Sequence, residues 1–100
     1  MDLSGKTAIV TGGAMGIGLG IVSRLAEAGA NVVIADTDEQ SGAAAAAELA
    51  NKGRKAAFVK TDVSRADDVV AAAQFAVTIY GGIDILVNNA GIYPTIPVRQ

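Results

Sequence analysis

Four glycines fall within the eight residues TGGAMGIG (11–18), directly after the apolar run TAIV (7–10). At a turn between a strand and a helix, glycine lets the backbone adopt tight dihedral angles and leaves no Cβ to keep a ligand away. The first N–H groups of a helix lack intrahelical partners and lie at the positive end of its dipole. Such a turn favours an anion such as a diphosphate, with Gly12, Gly16 and Gly18 as the lining positions. Gly18 would also let the helix pack close to the strand.

Two other glycine patterns are not met. The Gly-x-Gly-x-x-Gly dinucleotide fingerprint fails because Gly18 is followed by Leu19, Gly20 and Ile21. A P-loop requires Lys-Ser/Thr where Leu19 and Gly20 stand, so no lysine reaches a β,γ-phosphate. A sharp turn that merely needs glycine remains the alternative for this segment.

A carboxylate follows at the end of the second apolar run. Asp36 ends NVVIAD, 24 residues after Gly12. In a nucleotide-binding βαβ unit, an acid at this place accepts hydrogen bonds from the adenosine ribose hydroxyls. The charge would repel a 2′-phosphate, and neither Thr37 nor Met15 carries a positive charge, so the pattern favours NAD over NADP. The alternative is an Asp that caps the next helix, a role that Thr37 or Asp38 would fill equally well.

The elements that must position these residues follow from the hydrophobic pattern. Short runs rich in Val and Ile predict four strands: KTAIVTG, NVVIAD, KAAFVKTD and IDILVNN. Most lack strict alternation, which is typical of strands buried on both faces of a parallel sheet. Helical patterns lie between them, at about 17–28, 39–52 and 65–80. The order β-α-β-α-β-α-β predicts an α/β fold with a doubly wound, Rossmann-type parallel sheet.

The same patterns predict helix faces and helix ends. The first helix has an apolar stripe at i, i+4 and i+8: Ile17, Ile21 and Leu25. The third has two neighbouring stripes, one of Val69, Ala73 and Val77 and one of Ala72, Ala76 and Tyr80. Left-handed C-terminal caps are expected at three glycines: Gly29, Gly53 and Gly81. An N-terminal capping pair is expected before the third helix: Ser64 and Asp67.

Composition narrows the class of protein. A chain of 100 residues, 51% hydrophobic and 18% charged, is long enough for one small folded domain. A net charge of −2 gives no general attraction to nucleic acid or to an anionic membrane. The chain contains no Cys and no His, which excludes disulfides and the usual zinc ligands and makes a reducing cytoplasm the expected location. No signal peptide and no run of the ~20 apolar residues that span a membrane is visible.

Three motifs occur in order along the chain. TGxxxGxG begins at Thr11, Asp62-Val63 follows the third apolar run, and the NNAG segment (88–91) follows the fourth. Together they resemble the short-chain dehydrogenase/reductase family, at that family's spacing and over nearly the whole chain. The resemblance implies an oxidoreductase that transfers a hydride between NAD(H) and a small-molecule carbonyl or alcohol substrate. It also implies a homotetramer or homodimer.

The resemblance further implies a role for each matched position. Gly12, Gly16 and Gly18 would line the pyrophosphate, with Ile17 near the nicotinamide ribose. Asp36 would hold the adenine ribose, Asp62 would meet the adenine amino group, and Val63 would pack by the ring. Asn88, Ala90 and Gly91 would border the cofactor along the fourth strand, and Asn88 would tie that strand to its neighbours. Alternatively, the two asparagines satisfy backbone groups at the strand end.

The catalytic group of that family does not occur in these residues. The family pairs a tyrosine with a lysine four positions later, helped by a serine and a further asparagine. Here Tyr80 is followed by Asp84 at that spacing, and Tyr93 by Pro97. We therefore expect Tyr80 to be a core residue at a helix end and Tyr93 to be a loop residue.

The fourth strand predicts a larger sheet. In the doubly wound order the first strand is central, flanked by the second and the fourth. IDILVNN would then be an apolar edge, whereas natural edges are usually blunted by charge or proline. We expect residues 1–100 to be the NAD-binding portion of a single domain that continues beyond residue 100. Two other functions stay open: an NAD-sensing protein without catalysis, and a methyltransferase dependent on S-adenosylmethionine, which the NNAG segment disfavours.

Overall fold

The Val- and Ile-rich runs form strands and the segments between them form helices in the computed structural model, which describes residues 2–89. The elements are β1 (Thr7–Thr11), α1 (Gly16–Glu27), β2 (Asn31–Asp36), α2 (Glu39–Asn51), β3 (Ala56–Lys60), α3 (Ala66–Tyr80) and β4 (Ile85–Asn88). The strands form one parallel sheet in the order β3-β2-β1-β4. The predicted α/β doubly wound class and the central place of β1 are confirmed. None of the helices within residues 2–89 has the length and apolarity needed to cross a membrane.

The register brings the carboxyl ends of the strands to one edge of the sheet. Thr11 of β1 pairs with Ala35 of β2 on one side and with Asn88 of β4 on the other. Asp36 pairs in turn with Lys60, the last residue of β3. Residues that follow any of these strands therefore meet at this edge, which is where parallel α/β sheets bind ligands.

The two central strands are buried on both faces, as the lack of alternation predicts. On one face, Val10, Val32 and Ile34 pack against α1 and α2 in a single apolar cluster. On the other face, Ile9 and Val33 belong to a second cluster, with Ala76 of α3. Burial of this kind stabilises by about 25 cal/mol per Å² of apolar surface removed from water, so these strands dominate the core.

The predicted stripe of α1 is right for Ile21 and Leu25, which pack against the core, and wrong for Ile17. The buried positions are Gly18, Val22 and Ala26, whereas the side chain of Ile17 is 80% exposed. The missing side chain of Gly18 lets α1 approach the β1 turn closely. Ile21 and Leu25 are partly buried and flank the face of Gly18, Val22 and Ala26.

In α3, one of the two predicted stripes faces the sheet. Ala72 and Ala76 are buried, and Tyr80 packs partly buried against the second cluster, as expected of a core residue at a helix end. Val69 and Val77 are 45% and 51% exposed. Small residues again lie against the strands because they allow the helix to approach the sheet closely.

The structure confirms the predicted glycine caps at the helix C-termini but not the predicted serine cap at the N-terminus of α3. Gly29, Gly53 and Gly81 have φ of +99°, +79° and +88°, so all three are left-handed as predicted. The capping pair of Ser64 and Asp67 is wrong. Arg65 is the N-cap of α3 and makes no side-chain cap bond, while Ser64 donates to Asp62 instead. Asp62 stands only two residues before Ser64, so its carboxylate can form a local Asx turn with Ser64. This turn forms in place of the predicted cap.

Strand β4 forms an edge of the sheet within residues 2–89. Leu86 on this strand is 67% exposed and Ile83 just before it is 40% exposed. Together with Ile9, Val69 and other apolar residues they line a cavity of about 120 Å³ between β4 and α3. Exposed apolar edges of this kind favour pairing with a further strand. The expectation that the domain continues past residue 100 stays a prediction.

Two glycine substitutions test the packing of the helices. A Cβ built on Gly42 of α2 overlaps the ring of Phe58 in β3, so Gly42→Ala is expected to lower the free energy of unfolding by about 1–3 kcal/mol. Nothing lies within 4 Å of a Cβ built on Gly20 in α1. Gly20→Ala is expected to raise the same quantity by about 0.5–1 kcal/mol, because glycine is costly in a helix. Denaturant titration of the purified protein measures both, and equal stability of the Gly42→Ala variant and the parent would contradict the packing.

Candidate functional site

The turn between β1 and α1 has a backbone that glycine alone adopts easily. Gly12 and Gly16 have φ of +66° and +63°, in the left-handed region. Met15, the N-cap of α1, is extended and makes no side-chain cap bond, and the first turn of the helix contains no acidic residue. A Cβ built on Gly16 meets nothing within 4 Å, so the space beside this residue is open. The geometry therefore suits an anion, which can accept bonds from the first N–H groups of α1.

Gly18 has a different role in the same turn. It is buried, and a Cβ built on it overlaps the carbonyl oxygen of Gly12 and lies 2.8 Å from Nδ2 of Asn89. The lack of a side chain at Gly18 thus allows α1 to start directly against the turn, as expected for close helix–strand packing.

The carboxylate of Asp36 joins the end of β2 to the glycine turn. Its Oδ2 accepts a hydrogen bond from the Ala14 N–H at 3.0 Å, and its Oδ1 accepts one from the Asp38 N–H at 2.9 Å. The cap of α2 is Asp38, which accepts from the Ser41 N–H at 3.0 Å. The interpretation of Asp36 as the helix cap is therefore wrong. Each Asp36 oxygen keeps a further lone pair, so the group can still accept from a ligand.

A cleft of about 130 Å³ opens beside Asp36, between the ends of β2 and β3. It brings together four residues that the sequence analysis singled out: Gly12, Asp36, Asp62 and Val63. The rest of its lining is Ala35, Thr37 and Thr61, so the described residues place no Lys or Arg in its wall. The cleft thus combines two carboxylates with a small apolar surface.

Asp62 is held as an anion at the mouth of this cleft. Its Oδ1 accepts from the hydroxyl and from the N–H of Ser64, at 2.6 and 2.9 Å. These two bonds hold the pKa of Asp62 below its usual value, and the bond from the Ser64 hydroxyl has the larger effect. The Asp62 N–H donates to Asp68, which fixes the loop before α3. An ionised Asp62 is an acceptor, suited to an amino group of a ligand.

The end of β4 is tied to the end of β1 through side chains. The Thr11 hydroxyl lies 3.3 Å from the Val87 carbonyl oxygen and 3.2 Å from Oδ1 of Asn88, and it accepts from the Asn89 N–H at 2.9 Å. The Asn89 side-chain amide donates to the Gly12 carbonyl at 3.1 Å. The alternative that the asparagines satisfy backbone groups at the strand end is therefore confirmed for the Asn89 side chain.

The other residues that the sequence analysis singled out lie at the start of α1, at the end of β4 and at the end of α3, or outside the described residues. Ile17, in the first turn of α1, and Met15, its N-cap, both expose apolar side chains. Asn88 is exposed at the carboxyl end of β4. Burial raises the pKa of Tyr80, which lies at the far end of α3. Ala90, Gly91 and Tyr93 lie outside the described residues.

Comparison with known proteins settles the family. The family model of the short chain dehydrogenases matches residues 6–100. The chain belongs to the short-chain dehydrogenase family. It is 52% identical over 90 residues to 3beta-hydroxysteroid dehydrogenase 2 of Eggerthella lenta, an alignment that covers 90% of this chain and 35% of that protein.

Solved structures of the family agree with the fold. The chain matches a hydroxysteroid dehydrogenase from Escherichia coli with a TM-score of 0.87 and 38% identity, over 91% of this chain and 39% of the other. It matches a short chain dehydrogenase/reductase from Burkholderia phymatum in complex with NAD with a TM-score of 0.82 and 32% identity, over 86% and 31% of the two chains. The chain therefore spans about a third of the length of these proteins, the part that carries β1 to β4. Members of the family bind a nicotinamide cofactor.

The bond network at Asp62 predicts a pH effect. Ser64→Ala removes the hydroxyl donor, so the pKa of Asp62 should rise toward its ordinary value, and Ser64→Thr, which keeps a hydroxyl, should leave it low. A lowered pKa in the folded state stabilises the fold above the unfolded-state pKa, and this contribution disappears as the pH falls through the folded-state pKa. Carbon-13 NMR titration of the Asp62 carboxyl group measures the shift. A pKa that is equal in the parent and in the Ser64→Ala variant would contradict the role of this bond.

Proposed function

We propose that residues 1–100 form the dinucleotide-binding portion of an NAD(H)-dependent oxidoreductase, which moves a hydride between nicotinamide and a small-molecule carbonyl or alcohol. Family membership supports the reaction class. The observation that carries the site is the Asp36 carboxylate at a cleft directly beside an open helix start. The cofactor, when bound, supplies the hydride chemistry, and the chain supplies binding and orientation.

The start of α1 suits the diphosphate part of the cofactor. Left-handed glycines at 12 and 16 shape the turn, and the space beside Gly16 is open. The helix dipole and the unpaired N–H groups favour negative charge there, and no acidic side chain in the first turn of α1 opposes it. We assign Gly12, Gly16 and Gly18 to the diphosphate and Ile17 to the neighbouring ribose on the nicotinamide side.

The cleft beside Asp36 suits the adenosine part. Asp36 can accept from ribose hydroxyls, Asp62 can accept from the adenine amino group, and Val63, 37% exposed, offers apolar surface to the ring. This arrangement favours NAD over NADP, because a 2′-phosphate would meet the Asp36 charge in a cleft wall without Lys or Arg among the described residues. We further assign Asn88, Ala90 and Gly91 to the border of the cofactor after β4.

In this proposal, the residues that activate the substrate are not among residues 1–100. Neither Tyr80 nor Tyr93 has a lysine four positions later. The chain also covers 35% of the length of its Eggerthella lenta relative, and β4 exposes an apolar edge that suits a further strand. We therefore propose a single domain that continues past residue 100. The family resemblance further supports a homo-oligomer, and the lack of Cys supports a cytoplasmic location.

Substitution of Asp36 tests the assignment of cofactor and residue together. Asp36→Ala removes the ribose acceptor and the charge, so the Kd of NAD⁺ should rise about 10-fold or more while the Kd of NADP⁺ changes less. Asp36→Asn keeps an oxygen for the Ala14 N–H, so it should relax the preference for NAD⁺ with a smaller loss of affinity. The ratio of the two Kd values is the informative quantity, because a loosened turn would weaken both cofactors alike.

Isothermal titration calorimetry of the purified protein measures both constants. Asp67→Ala, which removes an exposed acid in the first turn of α3, is the matched control and should leave the ratio unchanged. An unchanged ratio in both Asp36 variants would contradict the role of Asp36. Heat on titration with S-adenosylmethionine and none with NAD⁺ would contradict the proposed function as a whole.

A further inference from the structure

A pocket opens at the amino edge of the sheet, the edge opposite to Asp36. Its volume is about 300 Å³, and its lining comes from the end of α1 and from the segments that precede β1, β2 and β3. Gly5 and Gly53 belong to this lining, and a Cβ built on either of them meets nothing within 4 Å. This amino-edge pocket is therefore open, and its volume lies at the lower end of the range for small-molecule sites.

Arg54 and Lys55 bring two positive charges to the amino-edge pocket. Neither side chain forms a hydrogen bond or an ion pair within residues 2–89. None of the described residues that line the pocket is acidic, so no carboxylate in this wall neutralises the two cations. Both charges are therefore available to a ligand of opposite sign.

The charges around the pocket have the same sign on balance. Basic residues are concentrated at this edge, in the segments before the strands and in the last helical turns: Lys6, Arg24, Lys52, Arg54 and Lys55. Of the acids at this edge, Asp2 and Asp84 accept hydrogen bonds from backbone N–H groups. Glu27 and Glu48, in the last turns of α1 and α2, do not line the pocket. The edge thus has a small excess of positive charge, which is concentrated at the pocket.

The helix ends at this edge do not use these basic side chains as caps. A helix dipole favours cations near a C-terminus, and α1 and α2 both end here. Carbonyl groups of their last turns are already bonded to backbone N–H groups, Leu25 to Ala30 at 3.1 Å and Leu49 to Arg54 at 2.9 Å. Each helix end carries about −0.5 elementary charge, so two ends together offset only about half of the charge of Arg54 and Lys55. The pocket therefore attracts an anion.

We propose that the amino-edge pocket is a second anion site, which binds a small molecule with a phosphate or diphosphate group. The guanidinium group of Arg54 can donate two parallel hydrogen bonds to a phosphate, and the ammonium group of Lys55 adds a compact charge. Asn31 also lines the pocket, and its side-chain amide contacts the Thr7 hydroxyl at 3.4 Å. That amide has a second N–H to donate to the ligand.

This site is separate from the proposed cofactor site. Asn31 begins β2 and Asp36 ends it, so the length of this strand, about 17 Å, lies between the two sites. Ligands can therefore occupy both sites at once. Binding in the amino-edge pocket neither requires nor excludes the proposed function.

NMR titration of the purified protein with inorganic pyrophosphate at constant ionic strength tests the proposal. Pyrophosphate should shift the amide signals of Gly29 and Gly53 saturably, whereas binding at the glycine turn is reported separately by Gly16 and Ile17. Arg54→Ala should raise the Kd measured at Gly29 and Gly53 about 10-fold, the effect of a lost charge-assisted bond. Arg54→Lys keeps the charge but not the two parallel bonds, so it should raise this Kd less.

Lys55 and Lys60 provide matched substitutions, because they are both exposed and lie at opposite ends of β3. Lys55→Ala should raise the Kd of pyrophosphate about five-fold, the upper range for an exposed charge pair. Lys60→Ala changes the net charge equally and should leave the Kd within about two-fold. Equal weakening by the two substitutions would refute the site, because attraction by net charge alone would explain it. A shift that does not saturate, or acetate that binds as tightly as pyrophosphate, would refute it as well.

A titration of the parent protein in saturating NAD⁺ keeps this inference apart from the proposed function. The Gly53 signal should report the same Kd for pyrophosphate with and without NAD⁺, because the two sites are separate. Loss of the Gly53 shift in the presence of NAD⁺ would overturn the inference, since pyrophosphate would then act through the glycine turn. Failure of NAD⁺ itself to bind would count against the proposed function alone, and the titration without NAD⁺ would still decide the amino-edge pocket.

Discussion

The close approach of the start of α1 to the carbonyl of Gly12 is the contact on which the rest of the site depends. It exists because Gly18 has no side chain, and it sets the distance between the helix and β1. The helix N-terminus is thereby placed at the carboxyl edge of the sheet, and the space beside Gly16 is open. The proposed anion site at this edge depends on this packing, because a helix N-terminus attracts an anion without a positive side chain.

The two sides of the contact between Gly18 and Gly12 carry charge of opposite sign. The helix start presents partial positive charge, while Asp36 and Asp62 place two carboxylates in the cleft on the other side of the turn. A ligand that carries a diphosphate joined to a hydroxyl-rich sugar and a base with an amino group matches this order. The Asp36 carboxylate also bonds to the turn itself, so the group that would receive the sugar helps to hold the site in shape.

The sheet explains both the stability of this arrangement and its asymmetry. β1 and β2 are covered on both faces and form the core, whereas β4 leaves Leu86 largely exposed beside an apolar cavity. The proposed ligand-binding residues lie along the carboxyl edge of this sheet, from β2 to the exposed edge strand β4. The chain spans about a third of the length of the relatives it matches.

The sequence by itself determined the strands, the helices, their order and the place of the glycine turn, because hydrophobic period and glycine spacing are properties of neighbouring residues. Tertiary structure decided which face of α1 is buried, since the contact at Gly18 and not the largest side chains sets the rotation of the helix. It also decided that Asn89 bonds to Gly12 and Asp36 to Ala14. These partners are 77 and 22 residues apart, and only the order and register of the strands bring them together.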